Sequence, residues 1–365
     1  MPGTWLFVAF AALAGVILVG FGTRLYLRMR FLPTIVRIFE EAPFFAATLE
    51  EPSPDAEEVC FGTSDGLTLR GSYWPTTAPE RQGVLLFCHE FTSHRWSCRP
   101  YCEPLRAAGF DVFTFDFRNH GQSDSLEGYE PLQWVTDYEV ADVKAALTYL
   151  AHRKDADPRG VGIFGISKGG AAALVAAADS PNVLAVATDG AFPTHGMQVV
   201  FLRRWLAIYS TSRFSIERVA LWIEDLLARL GPQVSPWRLN NRFDQFARMA
   251  RRISGRRRNC RFVDVEQAVR RLESVPWFMI QGERDSYVLP EVAQDLFRYA
   301  GHRSTNWVVP KAKHNKSLQI AGDQYRQRLC GFLTRHLGES RPKLPSRPLA
   351  QVDREPFTAS VSGGD

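Results

Sequence analysis

Apolar runs alternate with helical patterns along most of the chain, and the order of the two predicts the fold. Val59 to Phe61 and Leu67 to Trp74, separated by a turn at Ser64, Asp65 and Gly66, form an opening antiparallel hairpin. Val84 to Cys88 is a short, wholly apolar run of the kind buried on both faces in a parallel sheet. A helix over Pro100 to Ala108 stops at Gly109, and Val112 to Phe117 gives the next strand. Trp134 to Ala151 is helical, Val161 to Gly165 a strand, Lys168 to Ala178 an Ala-rich helix and Val183 to Thr188 another strand. Trp277 to Gln281 and Trp307 to Val309 are strands, each followed by a helical pattern, the last running from Leu318 to Leu337 and ending at Gly338. Strands and helices in this alternation predict an α/β fold, a mostly parallel sheet with helices on both faces.

The rhythm lapses between Phe192 and Ser274, where amphipathic and Arg-rich helical patterns replace the strands. This marks a helical lid insertion at about residues 193–274. Phe201, Trp205, Leu206, Ile208 and Phe214, then Leu221, Trp222, Leu226, Leu227 and Leu230, recur at roughly helical spacing and suit the cover of a pocket. The whole chain has a formal net charge of only +5, too little to argue for nucleic acid. Its basic side is local: Thr194 to Leu272 holds 16 Arg against six acidic residues. Within it, Arg251, Arg252, Arg256, Arg257, Arg258 and Arg261 form a cluster that anionic lipid headgroups would attract, by about 1 kcal/mol per residue near the surface.

At the N-terminus, Trp5 to Gly22 is an uncharged run long enough to cross a hydrocarbon core of about 30 Å as a helix. It lacks the positive leading region and the brevity of a signal peptide. Arg24, Arg28, Arg30 and Arg37 follow it, which places the bulk of the chain on the cytoplasmic side of a membrane. Six cysteines without a framework spacing agree with that side. Cys98 and Cys102 lie four apart, but no His or second Cys pair joins them, so no metal site is expected. The expected organisation is a membrane anchor with its basic flank at residues 1–30, a linker at 31–58, one catalytic domain at 59–338 and a flexible tail at 339–365.

The chemistry centres on G-I-S-K-G at Gly165 to Gly169, between a strand and a helix. A strand reversing sharply into a helix crowds the backbone, and glycine tolerates the approach. Ser167 at its centre is the candidate nucleophile, and a serine hydroxyl needs a base and a group to orient that base. Asp285, in Q-G-E-R-D-S-Y-V, and His314, in P-K-A-K-H-N-K-S, each follow a strand of their own, with Glu283 as a competing acid. Donors for a developing oxyanion are expected from the backbone N–H groups of Lys168 and, in the loop C-H-E-F-T-S-H-R-W-S, Phe91. His89 and Glu90 would shape that loop.

The order Ser, Asp, His and the strand-embedded G-x-S-x-G resemble the α/β-hydrolase superfamily across roughly Val59 to Leu337. D-F-R-N-H-G-Q-S-D at Asp116 to Asp124 resembles a loop common in its esterases and lipases, with Asp116, Arg118 and Ser123 read as structural. Many members carry His-Gly where this chain has His89-Glu90. Glu90 would then pair with His94, Arg95 or Arg118, or tune the pocket. The resemblance implies a serine esterase or lipase with no cofactor; taken with the anchor and the Arg-rich lid, it leads to the expectation of a membrane-anchored enzyme with a lipid-like ester substrate. G-I-S-K-G-G also resembles acyl-CoA thioesterases, whose anionic substrate an Arg-rich lid would suit. Acyl transfer to an alcohol or thiol would use the same triad. A catalytically silent interaction module at the membrane is the alternative of another class.

Overall fold

A computed structural model describes residues 32–41, 50–209 and 236–338, with isolated positions between residues 10 and 30; side chains at 205–243 are not described. One sheet of eight strands organises the domain: β1 (Glu57–Gly62), β2 (Thr68–Trp74), β3 (Gly83–Cys88), β4 (Phe110–Phe115), β5 (Val161–Ile166), β6 (Val183–Asp189), β7 (Trp277–Gly282) and β8 (Thr305–Val309). Their spatial order is β1-β2-β4-β3-β5-β6-β7-β8. β2 runs antiparallel to both neighbours, and every other pair is parallel.

β3, β4, β5 and β7 are buried at every position, which is why they read as unbroken apolar runs. The strand period of two splits each run between two cores. Val84, Leu86 and Cys88 face one layer, and Leu85 and Phe87 the other. The first layer is covered by α3 (Asp137–His152), α4 (Ser167–Ala178) and α8 (Pro290–Phe297), the second by α2 (Arg99–Ala107) and α9 (Ser317–Leu333).

Two boundaries shift for local reasons. β4 starts at Phe110, directly after the turn at Gly109, and ends before Asp116, whose carboxylate accepts from the N–H groups of Arg95 (2.6 Å) and Gln122 (2.9 Å). α3 starts at Asp137 instead of Trp134 because Thr136 caps it. Its hydroxyl accepts from Tyr138 N–H (3.3 Å), while Glu139 reaches back to the Thr136 N–H (2.8 Å).

The reading of residues 31–58 as a linker needs correction. Residues 32–40 form a helix, α1, with Ile35, Val36, Ile38 and Phe39 buried. Phe39 stacks on Trp134 at 5.4 Å and meets Phe262 edge-on at 5.1 Å, and its carbonyl accepts from Trp134 Nε1 at 2.8 Å. This apolar face needs a partner, and the lid base supplies one.

Among the described residues the insertion between β6 and β7 comprises α5 (Thr194–Tyr209), α6 (Pro236–Arg257) and α7 (Val265–Arg270). Trp205, Leu206, Ile208, Phe214, Leu221, Trp222, Leu226, Leu227 and Leu230 have side chains outside the described residues. Much of the arginine cluster is engaged within the chain: Arg258 pairs with Glu40 (2.8 Å), Arg261 with Asp137 (3.2 Å), and Arg251 donates to the Phe262 carbonyl (2.8 Å). Among the described residues no helix is long and apolar enough to cross a membrane. The run from Trp5 to Gly22 and the tail from Glu339 lie mainly or wholly outside them.

Phe39 is fully buried, so Phe39→Ala is expected to cost about 3–5 kcal/mol as the aromatic contacts become a cavity. The measurement is the urea midpoint, with the exposed Ile320→Ala as a control expected to leave it in place.

Candidate active site

Ser167 sits where β5 turns into α4, with φ at 51°. That left-handed conformation is costly for any residue with a Cβ, and it is held by the close packing around it. A Cβ at Gly169 would lie 2.3 Å from the His89 carbonyl oxygen and 2.4 Å from that of Cys88. Only glycine lets the first turn of α4 press against the end of β3, so the β3 loop and the elbow form one unit.

The three sequence-predicted residues meet here. Ser167 Oγ lies 2.9 Å from His314 Nε2, and His314 Nδ1 lies 2.7 Å from Asp285 Oδ2. With Nδ1 facing a carboxylate, the neutral imidazole carries its proton there and leaves Nε2 to accept from the serine hydroxyl. The other contacts of Asp285 fix its direction. Oδ1 accepts from the N–H groups of Tyr287 and Val288, both at 2.8 Å, and Oδ2 accepts from Gln281 Nε2 at 3.0 Å. The competing Glu283 is turned away and accepts from Lys311 N–H at 2.8 Å. Tyr287 covers the imidazole, ring centres 4.9 Å apart, and a Cβ at Gly190 would come within 3.0 Å of His314 Cε1.

Lys168 follows the serine directly, and Phe91 lies in the loop after β3. The Lys168 N–H is in the first turn of α4, where no intrahelical acceptor exists. Among the described residues the Phe91 N–H also has no hydrogen-bond acceptor. The Lys168 ammonium lies 5.2 Å from the centre of the Phe91 ring, so the two residues adjoin. Sequence reasoning gave Lys168 a backbone role and missed its side chain. Nζ is buried, donating to the Leu132 carbonyl and to Glu139 Oε1, each at 2.7 Å. Burial raises the Glu139 carboxyl, but Lys168, Thr136 and Tyr129 outweigh that and hold it below its ordinary value. The clue was a lysine in an otherwise apolar helix start, with Glu139 at the predicted helix beyond.

Glu90 takes none of its expected arginine partners. Arg95 goes to Asp116, Ser72, Glu58 and Gln122, and Arg118 to Asp142 and Asp65. Glu90 instead accepts from Ser97 Oγ at 3.1 Å, and desolvation raises its carboxyl. His89 does shape the loop: Nδ1 donates to the Glu90 carbonyl (2.7 Å) and Nε2 accepts from Phe117 N–H (3.2 Å). Burial, with His120, His94 and Lys168 nearby, keeps it neutral, its pKa well below the ordinary value. Asp116, Arg118 and Ser123 are all engaged in the framework, Ser123 Oγ donating to the Asp116 carbonyl at 2.6 Å.

Asp189, at the end of β6, was not singled out from the sequence. It accepts from Ser317 Oγ (2.9 Å) and Tyr325 OH (3.1 Å), tying the start of α9, just after His314, to the sheet. Burial pushes its carboxyl up to about 6.

With this geometry in view, comparison with known proteins is informative. A family model described as the alpha/beta hydrolase fold matches residues 83–319. The uncharacterized protein YfhR of Escherichia coli is 29% identical over 290 residues, covering 77% of this chain and 82% of that protein. The thiohydrolase aneE of Aspergillus aculeatus is 34% identical over 123 residues, covering 33% of this chain and 36% of that protein. Among solved structures, an esterase of Pyrococcus furiosus superposes with a TM-score of 0.56 at 20% identity, covering 82% of this chain and 98% of that one, a likeness of fold.

Lys168→Met leaves Glu139 buried without its cation and is expected to cost about 3–5 kcal/mol at pH 7. Adding Glu139→Gln should recover most of it. In the parent, a depressed Glu139 adds stability above the unfolded carboxyl value of 4.5 that is lost as the pH falls through the folded value. In Lys168→Met the cation is lost while the hydrogen bonds from Thr136 and Tyr129 remain, so burial weighs more and the Glu139 carboxyl rises relative to the parent. Urea unfolding should therefore show the single variant's penalty shrinking between pH 7 and about pH 5.

Proposed function

The chain belongs to the α/β-hydrolase fold family, and on that footing we propose that it is a serine hydrolase of carboxylic esters working through an acyl-enzyme. The observation that carries the reading is the relay from Ser167 Oγ to His314 Nε2 and from His314 Nδ1 to Asp285. In this reading Ser167 Oγ attacks the ester carbonyl carbon as its proton passes to His314 Nε2. Asp285 steadies the imidazolium. The tetrahedral oxyanion accepts from the N–H groups of Lys168 and Phe91. As that intermediate collapses, the carbonyl re-forms, the ester C–O bond breaks and the imidazolium proton goes to the departing alkoxide. Water then gives a proton to His314 and attacks the acyl carbon; the acyl C–Oγ bond breaks as the imidazolium returns that proton to Ser167 Oγ, releasing the acid.

A second reading, thioester cleavage by the same residues, is favoured by the match to a protein named a thiohydrolase. Oxyester and thioester of one acyl chain, assayed side by side with competing acceptors, separate hydrolysis, thiolysis and acyl transfer.

The substrate we propose is lipid-like and the site membrane-held. The motivation is the apolar run Trp5 to Gly22, with Phe10, Leu18 and Phe21 all more than 60% exposed. The arginines after that run favour a cytoplasmic catalytic domain.

A serine-directed phosphonate should label the full chain in detergent, and Ser167→Ala should lose both the label and ester hydrolysis, the latter by roughly 10⁴-fold or more. Intact labelling in Ser167→Ala would end the assignment, and an unlabelled native chain would favour the silent interaction module. After alkaline carbonate extraction of cells expressing the full chain, the protein should stay in the membrane pellet; release to the supernatant would remove the anchor.

A further inference from the structure

Three consecutive residues of the loop between β4 and α3 reach three different parts of the molecule. The Leu132 carbonyl accepts from Lys168 Nζ at 2.7 Å, beside the nucleophile in sequence. Trp134 Nε1 donates to the Phe39 carbonyl of α1 at 2.8 Å. Gln133, between them and only 2% exposed, uses both ends of its carboxamide. Its Nε2 donates to the Glu41 carbonyl, just past the end of α1, at 3.2 Å, and its Oε1 accepts from Tyr287 OH at 2.8 Å. The Glu41 carbonyl can only accept, so the amide nitrogen faces it and the oxygen is left for the phenol. Desolvation and the charge of Asp285 raise the Tyr287 phenol, which keeps it protonated and a donor.

Tyr287 carries this bridge to the relay. Its ring lies against the His314 imidazole, centres 4.9 Å apart and planes at 58°, and its N–H donates to Asp285 Oδ1 at 2.8 Å. One residue thus touches both the base and the acid. The backbone end of Tyr287 is fixed by Asp285, and the hydroxyl end of its ring is fixed by Gln133. Elsewhere the imidazole meets the backbone of Gly190, where a Cβ would come within 3.0 Å of Cε1 and 3.3 Å of Nδ1. A reacting group displaced by about 1 Å can lose roughly 100-fold in rate, so a fixed ring beside the imidazole bears directly on turnover.

We propose that Gln133 is a positioning residue for His314: by tying the Tyr287 hydroxyl to the end of α1, it holds the Tyr287 ring against the imidazole and keeps Nε2 aimed at Ser167. It touches no substrate and acts only through Tyr287. The chain segment next to the N-terminal apolar run thereby takes part in setting the base. The proposal rests on the serine-hydrolase reading.

The test uses the full chain in detergent with p-nitrophenyl butyrate, and kcat is expressed per active site counted by stoichiometric phosphonate labelling. Tyr287→Phe keeps the ring and removes the hydroxyl, Gln133→Leu removes the carboxamide, and a third chain carries both. Each single substitution should lower kcat per site by roughly 5- to 50-fold and leave KM within about twofold. Because both break one bond, the double variant should lie within about twofold of the weaker single. A purely structural role would reduce the number of labelled sites and leave the kcat of each unchanged. Where Gln133→Leu gives no labelled sites, Gln133→Met, of matching length, takes its place in the cycle. An unchanged kcat per site in either single variant, or losses that multiply in the double, would overturn the role of Gln133 and leave the hydrolase reading standing. Absence of labelling in the native chain would overturn both.

Discussion

The site depends on one strained residue. Ser167 is held at φ 51° because its neighbours leave no room for anything else. Behind it β5 is buried along its full length, and ahead of it Gly169 is pressed onto the carbonyls at the end of β3. The conformation is unfavourable by about 1–2 kcal/mol, and the packing of two sheet strands and a helix offsets it. Its effect is to lift the hydroxyl clear of the sheet while the start of α4 brings N–H groups beside it. Asp285 and His314 then arrive on the loops after β7 and β8, which lie beyond β6 in the same parallel part of the sheet.

Most of this architecture was legible because burial on both faces writes itself as apolar runs. Val84 to Cys88 and Val161 to Gly165 needed no tertiary knowledge, and the loops after them carried the chemistry. The relay was legible too, since each member follows a strand. What stayed hidden depends on contacts between distant segments. Thr136 shortened a helix that periodicity alone extends back to Trp134, because a cap is a matter of side-chain geometry. Residues 32–40 looked like a connector, since nine residues carry too short a period to reveal a face without the lid base they cover. Glu90 misled for a similar reason: arginines close in sequence already had nearer carboxylates.

The site is braced by buried charge as much as by apolar packing. Lys168 and Glu139 tie the elbow to α3, and Arg118 joins Asp142 to Asp65, the side chain of Asp142 being fully enclosed. Such pairs contribute little net stability against an apolar alternative, yet each admits only one arrangement of the loops it connects. That suits a serine whose hydroxyl must meet an imidazole at 2.9 Å.

The placement of α1 has a geometric consequence. Only nine residues, 23–31, lie between the apolar run and residue 32; the described positions among them, 25, 26, 29 and 30, are helical, and nine residues of helix span about 14 Å. With α1 docked on Trp134, the mouth of the site is leashed within a molecular diameter of wherever that run resides. If that is a bilayer, the domain would sweep only a thin shell of solution beside the leaflet. Its turnover would follow how many substrate molecules occupy a patch of surface, and dilution of the surrounding solution would hardly matter.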